Sequence, residues 1–90
     1  MKFHKRKITR GKYGEISKIL EEVEEAIDSE EQGLRIMTLI ELSDILGAVD
    51  GVLKKHFPNF TAEELLVFAR LRGAVAATNL IGKGWTIITD

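Results

Sequence analysis

Three observations predict an all-α fold, a small helical bundle built on an antiparallel helical hairpin plus a third helix. Apolar residues recur at helical spacing from Tyr13 to about Glu31 and again from about Leu34 to Lys55. Gly33 stands between the two runs as a helix stop. Beyond the break at Phe57, Pro58 and Asn59, Thr61 and Glu64 form a capping box that opens a further helix.

The elements follow in order. Residues 1–12 form a basic arm whose loose alternation around Phe3 and Ile8 reads equally as a short strand or a disordered segment, and residues 13–90 form a single domain. In the first helix Ile16, Ile19, Leu20, Val23 and Ile27 share one face, the expected packing face. The second helix is apolar nearly all round, as a buried helix would be. The third is expected to run through about Asn79, and the GKGWTII segment then reads as a loop and a short strand.

Composition bounds the function. Ninety residues with 44% apolar content suit one domain. A domain this short buries little more than roughly 60% of its unfolded surface, so a partner subunit or a metal would help it. Cysteine is absent, which excludes disulfides and thiolate metal sites. No stretch approaches the ~20 apolar residues of a membrane span, and no apolar signal-peptide core is present, so a cytoplasmic protein is expected. Net charge is −1, but the arm holds six Lys/Arg and no acid, leaving seven bases against fourteen acids in the body, a net of −7.

Those acids are oddly placed. Between Leu34 and Leu53 the charged residues are Arg35, Glu41, Asp44 and Asp50. At about 100° per residue, Glu41 and Asp44 share a face with Met37, Ile45 and Ala48. An ionised carboxylate in an apolar stripe costs several kcal/mol unless a cation meets it. The first helix carries Glu21, Glu22, Glu24, Glu25 and Asp28 within eight residues, with like charges at i,i+4. Taken alone, Glu25 points away from the apolar stripe of its helix and reads as part of a solvated acidic face.

Register across the hairpin changes that reading. Glu25 and Glu41 lie eight residues either side of Gly33, and Glu22 and Asp44 eleven either side. In an antiparallel pair these residues meet at two levels about 4.5 Å apart. Four carboxylates there make an oxygen cage suited to a hard divalent cation such as Mg²⁺, with Mn²⁺ as a possible substitute.

The segments ILEEVEEA and ELSD, with fifteen residues between Glu25 and Glu41, resemble the EExxE…ExxD signature of MazG-like nucleoside triphosphate pyrophosphohydrolases. The resemblance covers about residues 13–55. It implies an all-α dimer or tetramer in which Mg²⁺ is held by the acids of both helices. It further implies a hydrolase acting on acid anhydrides, which cleaves a nucleoside triphosphate between the α and β phosphates to a monophosphate and pyrophosphate. Carried over, Glu22, Glu25, Glu41 and Asp44 become metal ligands, and Glu21 an acid one step removed from the metal or a base that orients water. Asn79 and Lys83 fall near the family's substrate-binding positions, at an interval of four where the family pattern has three. Arg70, Arg72 and the arm are further candidates for binding phosphate, and Trp85 for stacking on a base or filling a contact.

His4 and His56 lack ligand spacing and read as surface histidines. Gly47 and Gly51 weaken the second helix by roughly 1 kcal/mol each, which close approach of another helix would explain. Two competing readings are a non-catalytic helical dimerisation or binding module, with the arm contacting protein or nucleic acid, and a degenerate relative that binds metal without turnover. Nucleic acid is not the expected partner, because no basic patch exists outside the arm.

Overall fold

The computed structural model describes residues 4–71. Among them are three helices and no strand: α1 (Ile16–Glu31), α2 (Arg35–His56) and α3 (Ala62–Leu71). Arg72, Asn79, Lys83 and Trp85, together with the expected extension of the third helix and the terminal segment, lie outside the described residues. No helix among those described is long and apolar enough to cross a membrane.

The hairpin turn is built by backbone hydrogen bonds. Gly33 takes φ +72°, the Leu34 N–H donates to the Ser29 carbonyl and the Gly33 N–H to the Glu30 carbonyl, both at 3.0 Å. This pattern satisfies the last carbonyls of α1 and reverses the chain. At the far end Glu15, just before α1, pairs with Lys55 and, at 3.2 Å, with His56 in the last turn of α2, so the helices run antiparallel along their length. Lys54, Lys55 and His56 also suit the negative end of the α2 dipole. The capping box forms as expected: the Glu64 N–H donates to Thr61 Oγ1 and the Thr61 N–H to Glu64 Oε1, both at 3.1 Å.

The face that α1 buries is not the apolar one. Ile16 is 67% exposed, and Leu20 and Ile27 are also exposed, whereas Glu21, Glu22, Ala26, Asp28 and Ser29 are buried. Ala26 and Ser29, both small, are among the buried residues on this side. α2 differs from expectation in the same way. Its buried residues include Glu41, Ala48, Gly51 and Val52, while Ile36, Leu39, Leu42 and Leu46 project from the opposite face. Among the described residues, α1 lies along one side of α2 and α3 touches it lightly, so these elements do not surround it.

Residues 4–12 explain the other half of the α1 surface. They form neither a strand nor a free arm but an extended strap antiparallel to α1. The Lys5 and Arg6 N–H groups donate to Asp28, the Thr9 N–H to Glu24 (3.0 Å) and the Gly11 N–H to Glu21 (2.7 Å). Glu21, Glu24 and Asp28 lie at helical i, i+3, i+7 spacing, so one acidic stripe of α1 supplies acceptors that a neighbouring strand would otherwise provide. Arg6 adds an ion pair with Glu31 at 3.2 Å. The strap then turns through Gly14, at φ +89°, into α1.

Tyr13 accounts for Gly51. A Cβ there would lie 2.7 Å from Tyr13 Cζ, so the close approach is made by a ring of the same chain rather than by another helix. At Gly47 nothing lies within 4 Å of where a Cβ would stand, so no described neighbour requires it.

Asp28→Ala removes the acceptor shared by Lys5, Arg6 and His4. Trypsin should then cut after Lys5, Arg6 and Lys7 faster than in the wild type while far-UV circular dichroism remains helical. Equal cleavage rates would show that the strap is held elsewhere.

Candidate metal centre

Glu22, Glu41 and Asp44 each place a carboxylate oxygen within 4.8 Å of the other two. Glu25, one turn along α1, comes within the same distance of Glu22 on one side and Glu41 on the other. The four acids singled out by their register about Gly33 therefore lie together between α1 and α2. Their burial is graded: Glu41 is 4% exposed and Glu22 7%, Glu25 is half-buried, and Asp44 is exposed at the mouth.

Their partners are few. Lys18 Nζ reaches Glu22 Oε1 at 3.2 Å and Glu21 Oε2 at 3.0 Å. No lysine or arginine among the described residues lies within 4 Å of Glu25, Glu41 or Asp44. Glu41 Oε2 is buried and has no hydrogen-bond partner. An acceptor left dry in this way costs free energy, on the order of 1–3 kcal/mol for a neutral group and more for a charged one.

The electrostatics divide the acids into two sets. Burial pushes the Glu22 carboxyl above the ordinary carboxylate value, with Glu25 adding to the rise. Burial likewise raises Glu25, reinforced by Glu41, and raises Glu41, reinforced by the charge of Asp44. On the strap side the directions reverse. The Gly11 N–H holds Glu21 below its ordinary value, helped by Lys18 and Arg10. Burial would raise Asp28, but the Arg6 N–H, the His4 ring, the Lys5 N–H and the Gln32 amide together bring it down.

Glu21 is thus a well-partnered carboxylate of low basicity. It suits an acid one step removed from a metal, holding Lys18 beside Glu22, better than a proton-abstracting base. Glu22, Glu25, Glu41 and Asp44 supply the oxygen donors that a hard divalent cation takes.

Beside them an open cleft of about 440 Å³ is lined by Tyr13, Lys18, Glu22, Asp44, Gly47 and Asp50 among others. A side chain at position 47 would reach into it. Asp50 there pairs with Lys54 at 2.9 Å. Arg70, at the end of α3, is exposed and was a phosphate candidate on sequence grounds.

His4 is not an ordinary surface histidine: its Nδ1 lies 2.9 Å from Asp28 Oδ2, and its Nε2 lies 3.8 Å from Glu41 Oε1 and 4.0 Å from Glu25 Oε1. The contact spans 24 residues and depends on the path of the strap, so no local spacing announces it.

Glu41→Gln should stabilise the metal-free protein. A folded-state pKa raised above the unfolded value gives stability that is present at low pH and lost as pH rises through the raised value, so at pH 7 ionised Glu41 counts against the fold. Relief on the order of 1 kcal/mol corresponds to roughly 4–8 °C in a domain of this size. Melting in EDTA should show the variant ahead at pH 7, with the gap narrowing toward pH 4. A lower melting temperature at pH 7 would mean that Glu41 is better partnered than its geometry indicates.

Comparison of the chain with models of known protein families, with curated proteins and with solved structures found no match to any of them.

Proposed function

We propose that the chain is a Mg²⁺-dependent nucleoside triphosphate pyrophosphohydrolase. The observation that carries this reading is Glu41, a buried carboxylate with an unpartnered oxygen that meets Glu22, Glu25 and Asp44 in the EExxE…ExxD arrangement. A solvated acidic face would not bury Glu22 and Glu41, and an ion-pair network would bring lysine or arginine to Glu25 and Glu41 as well as to Glu22.

Glu22, Glu25, Glu41 and Asp44 would hold the metal, with Asp44 nearest solvent. When bound, the ion supplies Lewis-acid polarisation of the triphosphate and of the attacking water. Attack occurs at the α-phosphorus and pyrophosphate leaves, so no side-chain nucleophile is required. Lys18, at the cleft margin, offsets the charge of Glu22 and lets an anionic substrate approach. Tyr13 is 63% exposed on the same cleft and offers a face for a nucleobase. Arg72, Asn79 and Lys83 remain the further substrate-binding candidates. Mn²⁺, which takes similar oxygen ligands, would serve as a substitute.

The same reading includes a homodimer or homotetramer. The outward apolar faces of α1 (Ile16, Leu20, Ile27) and α2 (Ile36, Leu39, Leu42, Leu46) support it, because exposed apolar surface of that extent marks an interaction site in a stable protein.

The test is pyrophosphate release from a panel of standard and modified nucleoside triphosphates with Mg²⁺. The wild type should release pyrophosphate from at least one. Glu41→Gln and Asp44→Asn should fall by more than the roughly 10–100-fold that follows loss of an outer partner of a metal site. Silence of the wild type across the panel, with metal binding intact, would replace the hydrolase by a non-catalytic metal-binding module. Full activity in either variant would displace the site.

A further inference from the structure

We propose that His4 is a nitrogen ligand at the strap end of the carboxylate cluster, which makes His4, Glu25 and Glu41 a mixed nitrogen–oxygen site for a transition-metal dication. The cation class rests on chemistry independent of the hydrolase reading, although the site shares Glu25 and Glu41 with it.

The geometry of the imidazole carries this. Asp28 Oδ2 lies 2.9 Å from Nδ1 and is further held by the Lys5 and Arg6 N–H groups and by Gln32 Nε2 at 2.9 Å. A carboxylate fixed by so many donors can only accept, so Nδ1 carries the hydrogen and donates to it. In the neutral ring Nε2 is then the lone-pair nitrogen. That nitrogen faces Glu25 and Glu41 at 4.0 and 3.8 Å, too far for a hydrogen bond and close enough for one ion to touch all three. Among the described residues Nε2 has no hydrogen-bond partner of its own, and the Glu41 side chain it faces is 4% exposed with its Oε2 buried and unpartnered, so an ion held here would meet donor atoms that the fold leaves open.

The carboxylate–histidine arrangement is the one that fixes tautomer and ring orientation at metal sites. Here Asp28 takes the place of the outer carboxylate, and the strap carries the histidine to it.

The ligand set names the ion. Imidazole nitrogen with two carboxylates favours Mn²⁺, Fe²⁺, Co²⁺ or Zn²⁺ over Mg²⁺, which prefers oxygen and keeps several waters. The Glu22, Glu41 and Asp44 end of the cluster offers oxygen alone. The two ends would therefore differ in ion preference, with Glu41 common to both.

The experiment is a titration of the full chain with Zn²⁺, Mn²⁺ and Mg²⁺ separately, comparing wild type with His4→Ala and His4→Gln and following binding by calorimetry. Loss of a ligand should weaken Zn²⁺ binding at least as much as losing an outer partner does, roughly 10–100-fold, while Mg²⁺ affinity changes little. A merely structural role for His4 would weaken all three ions alike and would overturn the proposal.

A second readout separates ligation from anchoring. In histidine-labelled protein the ¹⁵N resonance of His4 Nε2 should move on Zn²⁺ saturation while its Nδ1 stays protonated, with His56 as the internal control. An unmoved Nε2 resonance at saturation would equally overturn it. Neither readout uses nucleotide, so a chain that binds Zn²⁺ through His4 yet hydrolyses nothing would sustain this inference and remove the hydrolase.

Discussion

Carboxylates accept hydrogen bonds and cannot donate them, and α1 turns a broad face of them toward the rest of the chain. Everything packed on that face must bring hydrogens or positive charge. The strap does so with backbone N–H groups, which reach Glu21, Glu24 and Asp28 in succession. Lys18 serves the boundary between the two halves of the face. Toward α2 the donors give out, and Glu25, Glu41 and Asp44 meet with no lysine or arginine near them among the described residues.

The contrast between the two sides of α1 is informative. Asp28 and Glu21 are buried as deeply as Glu22 and Glu41, yet the first two are held below their ordinary pKa and the second two above it. Burial raises all four, so the donors on one side and the neighbouring carboxylates on the other decide the sign. The strap side is a finished structural joint. On the α2 side the carboxylates repel one another, and under the proposed reading an ion there would reverse a repulsion already built into the fold rather than form a new contact. Metal binding at such acids releases protons and adds directly to folding stability.

Much of the hairpin was legible in the sequence. Gly33 as the stop, Thr61 and Glu64 as the cap, and the eight- and eleven-residue intervals about the turn all depend on local rules, and α1 and α2 begin and end within a few residues of their expected bounds. Which face of each helix is covered was not legible. Apolar periodicity locates a stripe but does not say what lies against it, and in α1 the residues Ile16, Leu20 and Ile27 of that stripe are exposed while Ala26 and Ser29 are buried. The strap was hidden for a related reason: its partners accept from backbone N–H groups, which every residue but proline possesses, so no side-chain pattern marks it. His4 reaches the cluster only because of that path, and Gly51 is explained only by Tyr13 crossing from the start of α1.

Calorimetric titration of the wild-type chain with Mg²⁺, run near pH 6 in two buffers of different ionisation enthalpy, addresses most directly whether the carboxylates between α1 and α2 form a cation site. The arrangement of Glu22, Glu25, Glu41 and Asp44 predicts saturable binding, and because burial raises three of these carboxyls any proton release that accompanies it should grow as the pH is lowered. A trace with no saturable heat beyond dilution in either buffer would contradict it, and the buried acids would then be a feature of folding alone.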